Sequence, residues 1–246
     1  MGLDNWQWAV AALSAVMIGM AKTGVPGLGI LCVPLMASIM PAKVSTGVVL
    51  PMLIFADVFA VAYYHRHAVW PHLFKLMPWA LAGIIIGYFI MGRISDAQLK
   101  PVIGVIVLVM LGLHYVRDRI NGDNPNVPTQ WWFAAVLGLI AGITTMLANA
   151  AGPIMIIYLL AMRLPKNEFI GTGAWYFLIL NCVKVPFSMN LGLITAGSLK
   201  FNLTLFPCVF VGVIAGILLL KKIPQKAFNI IVQLLAALAA VNMLWR

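Results

Sequence analysis

Charge is what this sequence has least of. Of its 246 residues 9% are charged, and Asp and Glu together number six. So sparse a set offers no paired carboxylates for acid–base catalysis, and none stands beside His65, His67 and His72 to complete a metal site. Cysteine is scarce as well: Cys32, Cys182 and Cys208 each lie inside an apolar segment without metal-ligand spacing, and read as small buried hydrophobes. There is no Ser/His/Asp or Cys/His constellation, so the sequence argues against an enzyme, with no catalytic residue, metal or cofactor expected. Polar stretches are nearly missing too, with 117–130 the one clear linker, which leaves no room for a separate soluble domain. The first residues lack a basic leader region and the segment after them lacks a small-residue cleavage pattern, so the first helix is expected to stay in the mature protein.

What fills the chain is hydrocarbon. With 63% hydrophobic residues and a mean hydropathy of +1.02, a water-soluble globule could not cover its own surface. Apolar runs near or above the roughly 20 residues needed to cross a bilayer recur throughout. The expected fold is therefore an all-α polytopic membrane protein. The net charge of +10 resides mostly in short loops, where Lys and Arg orient helices and meet anionic lipid; nucleic acid is not implied. Trp6, Trp8, Tyr63, Tyr64, Trp70, Trp131, Trp132 and Trp245 read as an interfacial belt.

Two apolar runs are interrupted. The first, 6–40, carries Lys22-Thr23-Gly24-Val25-Pro26-Gly27-Leu28-Gly29; the second, 131–162, carries Asn149-Ala150-Ala151-Gly152-Pro153. Each interior Gly costs a helix roughly 1 kcal/mol and each Pro about 3 kcal/mol, so both helices should break there. Spans then follow at 44–64, 76–91 and 99–116 in the first half, and at about 168–189, 199–220 and 227–245 in the second. Residues of the two halves correspond: Asp57 maps onto Asn181 at an offset of 124, and Pro78, Gly83 and Gly87 map onto Pro207, Gly212 and Gly216 at an offset of 129. The pattern predicts two homologous four-segment repeats, 1–116 and 131–246, each opening with a broken or re-entrant helix. The Gly pairs fit close helix packing, and small-residue faces leave a homodimer open.

At 35 residues, or about 52 Å of straight helix, the run 6–40 exceeds one crossing. If both broken runs are re-entrant, the halves are inverted, and nine basic residues (Arg66, Lys75, Arg117, Arg119, Arg163, Lys166, Lys221, Lys222, Lys226) share one face against five on the other. If each crosses once, the division is six against eight. The positive-inside rule favours inverted repeats with the nine-residue face cytoplasmic.

Paired broken helices in corresponding halves point to a binding site, because freed backbone groups need a polar partner. Half-helices starting after Gly24 and after Asn149 would aim unpaired N–H groups at the centre, which favours an anion. Lys22 adds charge, Thr23, Thr144 and Thr145 add hydroxyls, Asn149 adds an amide, and Gly24, Gly29 and Gly152 let the backbone approach. A lysine at membrane depth costs at least ~2.5 kcal/mol, so Lys22 either faces a polar cavity or snorkels to the interface. Asp57, Asn181 and Lys184 are candidates for a second layer or gate, and Glu168 reads as a helix N-terminal charge. The expected activity is secondary transport of a small anion by alternating access; a channel for the same anions and a membrane-embedded enzyme are the alternatives.

The stretches Thr144-Thr145-Met146-Leu147-Ala148-Asn149-Ala150-Ala151-Gly152-Pro153, Gly171-Thr172-Gly173-Ala174-Trp175-Tyr176-Phe177 and Asn181-Cys182-Val183-Lys184-Val185-Pro186-Phe187 resemble the TauE/SafE sulfite exporter family, the sulfur-anion transporters also called TSUP. Lys22-Thr23-Gly24 and Gly27-Leu28-Gly29 carry the likeness in the first half. The resemblance implies a multi-pass carrier of the bacterial inner membrane for sulfite, sulfoacetate or related organosulfur anions, with no bound cofactor.

Overall fold

The computed structural model describes residues 3–24, 28–120, 131–162, 164 and 166–219. The expected span 227–245, residues 25–27 of the first break and most of the linker lie outside the described residues. Those described form nine α-helices: α1 (Asn5–Thr23), α2 (Gly29–Ile39), α3 (Ala42–Tyr64), α4 (Trp70–Arg93), α5 (Asp96–Ile120), α6 (Trp131–Ala148), α7 (Gly152–Ala161), α8 (Lys166–Asn190) and α9 (Ala196–Leu219). Five of these, α3, α4, α6, α8 and α9, are long and apolar enough to cross a membrane. The polarity is inside-out relative to a soluble protein. Phe74, Phe89, Leu203, Val211 and Leu218 point outward, whereas Thr23, Asp57, Thr145, Asn181 and Lys184 are buried. This is a multi-pass membrane protein.

Both interruptions occur where Gly and Pro place them. α1 ends at Thr23 and α2 begins at Gly29; α6 ends at Ala148 and α7 begins at Gly152. At the second break Asn149 takes φ +50°, a left-handed conformation that Asn tolerates better than most residues. Its N–H donates to Thr145 O at 3.0 Å and that of Ala150 donates to Thr144 O at 3.3 Å, closing the end of α6. After each break the chain folds back. Cys32 Sγ lies 3.7 Å from Ser14 O across the first turn, and Ile154 packs with Ala141 across the second.

Glycines set the closest helix pairs. α1 lies against α9, where a Cβ on Gly19 would overlap the backbone at Val209 and Val213, and one on Gly212 would overlap Val16. α4 lies against α6 in the same manner, with Gly83 against Leu139 and Gly142, and Gly142 against Ala80. α3 and α8 cross between these pairs and meet end to opposite end. Gly47 at the start of α3 abuts Leu193 beyond the end of α8, and Gly171 near the start of α8 abuts Tyr64 and His67 at the end of α3. The backbone N–H of Lys43 donates to Asp96 Oδ1 at 2.7 Å, tying the start of α3 to the start of α5.

Several local expectations change. α5 continues to Ile120, four residues into the stretch read as linker, because nothing before Asn121 breaks a helix. The basic loop is shorter than its composition suggests: His65–His67 form a 3-10 turn, and His72 belongs to the first turn of α4, where Pro71 suits helix entry. Tyr64 is buried rather than interfacial and donates its hydroxyl to Thr23 O at 3.1 Å. Cys182 sits on the outer face of α8 and is exposed, unlike buried Cys32.

Candidate functional site

Four helices bring a polar chain into the apolar interior. Lys22, in the last turn of α1, places Nζ 2.8 Å from Asp57 Oδ1 of α3 and 4.0 Å above the ring of Phe177 of α8. Its position at a helix C-terminus and over an aromatic face both favour a cation. The lysine does not snorkel outward: its side chain is 12% exposed, and that of Asp57 is fully buried. Asp57 Oδ2 accepts from Asn181 Nδ2 at 2.6 Å. Thus the two residues that correspond between halves touch one another directly.

Lys184 extends the chain from α8 to the end of α6. Its ammonium donates to Asn181 Oδ1 (3.2 Å), Asn149 Oδ1 (2.5 Å), Thr145 O (3.0 Å) and Thr145 Oγ1 (3.0 Å). With both amide oxygens held by one cation, the amide nitrogens are directed elsewhere: Asn181 to Asp57, and Asn149 to Thr46 O at 3.0 Å. Lys184 therefore fixes the orientation of both amides. Its contact with Thr145 O places the charge at the C-terminal end of α6, where the helix dipole favours a cation.

The described cluster holds two ammonium groups and one carboxylate, an uncompensated positive charge in a region of low polarity. Beside it is a cavity of about 110 Å³, where one water requires about 10–15 Å³. Lys22, Asp57, Thr145, Asn149 and Asn181 supply its polar wall, and Met155, Leu159, Phe169 and Phe177 are among its apolar lining. Gly29 and Gly152, the first residues of α2 and α7, also line it, so the N-terminal ends of both returning half-helices border one space. Among the described residues no three His, Cys, Asp or Glu side chains converge as metal ligands.

The structure thus gathers Lys22, Gly29, Asp57, Thr145, Asn149, Gly152 and Asn181 at the cavity, with Lys184 directly behind them. Three other expected binding residues face elsewhere. Thr23 donates its hydroxyl to Gly19 O (3.0 Å) and Val213 O (2.9 Å), and Thr144 donates to Ile140 O (2.8 Å) and Ala141 O (3.2 Å). Gly24 packs against Gly216 of α9, where a Cβ would strike backbone. Phe177, beneath the Lys22 ammonium, and Thr46, whose carbonyl accepts from Asn149, carry no local signal of a role: the first is an ordinary apolar residue and the second contributes only its backbone. Glu168 lies in the first turn of α8, where its charge suits the helix dipole.

Comparison with known proteins points to a family of membrane transporters. The family described as "Sulfite exporter TauE/SafE" matches residues 10–243. A protein of Magnetospirillum gryphiswaldense, described as "Probable membrane transporter protein MamO", is 23% identical over a match that covers 71% of this chain and 34% of that protein. The chain thus spans about a third of that relative's length. No solved structure matches the chain.

Proposed function

Since this chain belongs to the TauE/SafE sulfite exporter family, we propose that it is a secondary transporter moving a small sulfur oxyanion or organosulfonate across the bacterial inner membrane by alternating access. The observation that carries the reading is the excess positive charge beside the cavity, bordered by the N-terminal ends of α2 and α7. Lys22 is the primary anion ligand, with Thr145, Asn149 and backbone N–H groups at the starts of α2 and α7 completing the shell. Asp57 is the resident counter-ion, and Asn181 and Lys184 position it and the Asn149 amide. Thr23, Thr144 and Gly24 serve packing and helix ends.

Two inverted repeats form the scaffold in this reading. Its support is the reciprocity of contacts: α1 on α9 answers α6 on α4, and Gly216 against Thr23 answers Gly87 against Met146. The pairing of opposite ends of α3 and α8 fits re-entrant breaks rather than single crossings. The moving bodies are then not the two halves of the sequence. Glycine contacts bind α1 to α9 and α4 to α6, so each body mixes both halves, and α3 and α8 lie between them.

Purified protein in liposomes tests the assignment. Preloaded sulfite, thiosulfate or sulfoacetate should drive saturable counterflow of the same labelled anion, while sulfate and short carboxylates set the selectivity. Linear, non-saturating flux would mark a channel, and no flux of any of these anions would refute the proposal.

A further inference from the structure

The charge count at the cavity does not fit every anion equally. Lys22 and Lys184 contribute two positive charges and Asp57 one negative, all inside the protein. A monoanion would neutralise this set with Asp57 still ionised. A dianion would leave one negative charge in excess, and a buried excess charge is strongly unfavourable. Asp57 is the group placed to remove it, because it is fully buried, borders the cavity, and owes its ionised form to the same ammonium that the anion would recruit.

We propose that the site accepts a dianion together with one proton, carried on Asp57. This rests on the transport reading above and extends it to the coupling ion. On entry the anion draws the Lys22 ammonium away from Asp57 Oδ1, and the freed oxygen takes up a proton from the bulk solution on that side, relayed by water in the cavity that is itself left unchanged. The loaded site then holds two ammonium groups, one dianion and a neutral carboxyl. When the anion departs, Lys22 returns, the carboxyl releases its proton to water on that side, and the original ion pair re-forms. No electrons are transferred and no bond other than O–H is made or broken.

The surroundings of Asp57 permit this assignment. The groups that face it are Lys22 from α1 and, from α8, Asn181 with Lys184 behind it, whereas the Cys182 thiol lies on the outer face of α8. Cys32 of α2 is buried with its thiol directed to Ser14 O and Leu28 O. Of the described ionisable side chains on α9 and α5, Lys200 and Asp96 are exposed at helix ends and Cys208 is half-buried. Among these groups Asp57 is the sole carboxylate within the interior. Asn181, its counterpart at an offset of 124, is a neutral amide of the same shape, so Asp57→Asn is the natural substitution for removing the proton without changing the volume.

The experiment counts protons per anion in liposomes containing the whole protein and a trapped pH-sensitive dye. The probes are thiosulfate and sulfoacetate, dianions near neutral pH, against methanesulfonate, a monoanion; none of them takes up a proton itself near neutrality. The expected result is close to one proton per thiosulfate or sulfoacetate and none with methanesulfonate, and a tenfold proton gradient should concentrate thiosulfate. In Asp57→Asn the ratio of protons to thiosulfate should fall to zero, whatever the rate. Thiosulfate entry without protons in the unaltered protein would overturn the proposal while leaving the transport assignment intact, as would an undiminished ratio in Asp57→Asn. If the variant is poorly folded or too slow to read, the contrast between thiosulfate and methanesulfonate in the unaltered protein decides. Failure of all three anions to enter refutes the transport reading and this proposal together.

Discussion

At the scale of single residues, the interior is governed by how each ammonium is compensated. Lys22 has a charged partner, Asp57, so its removal should have two separable effects. Lys22→Ala should weaken thiosulfate binding more than tenfold, about 1.4 kcal/mol, measured by calorimetry in detergent. It should also lower thermal stability, because Asp57 is left buried and unpaired. The double variant Lys22→Ala, Asp57→Asn should regain the stability but not the affinity; restored affinity would remove Lys22 from the binding site. Lys184 differs in that its acceptors are neutral. Lys184→Met strands the Asn149 and Asn181 oxygens and should cost about 2–6 kcal/mol, at roughly 1–3 kcal/mol for each buried acceptor lost. Lys200→Met, at an exposed site on α9, should change stability by less than about 0.5 kcal/mol. Comparable losses in chemical unfolding would mean that Lys184 is not the organising contact described here.

At the scale of helices, the decisive contacts are made by residues with no side chain. Gly142→Ala would push a methyl group into the backbone of Ala80 and Gly83, which cannot yield as a flexible side chain would. α4 and α6 must then separate, so this variant should unfold at a clearly lower temperature than the parent. Gly112→Ala in α5 meets nothing within 4 Å and should be neutral or stabilising by up to about 1 kcal/mol through helix propensity. Equal melting temperatures for the two variants would contradict the close approach of α4 and α6. The threonines illustrate a related rule at this scale. Thr23 and Thr144 are buried in helices and turn their hydroxyls onto carbonyls of the preceding turn, the usual alternative for such residues in an apolar setting. That preference competes with ligand binding, and a composition of hydroxyls near a break does not reveal which will prevail. Thr145, one residue further round the helix than Thr144, faces Lys184 and the cavity instead.

At the scale of the whole molecule, the proposed re-entrant arrangement would put the turn at His65–His67 and the turn after α8 on opposite sides of the membrane. With exposed Cys182 replaced, Arg66→Cys should react with a membrane-impermeant maleimide only after the cells are permeabilised, and Gly197→Cys in intact spheroplasts. Labelling of both from one side would rule out inverted repeats. This is also the scale at which sequence and structure part company. The interruptions after Thr23 and after Ala148, the helical class and the membrane setting are all local consequences of composition, since a Gly, a Pro or an apolar run acts on its own few neighbours. Asp57 and Asn181 could be paired by their offset, and Lys22 singled out by the cost of a lysine in hydrocarbon. That Asp57 and Asn181 touch, that Lys184 caps the end of α6, and that Phe177 lies beneath Lys22 depend on how α1, α3, α6 and α8 pack. Those contacts join residues 35 to 155 positions apart, and no local propensity encodes them; only tertiary packing decides which of the buried polar groups face the cavity and which satisfy one another.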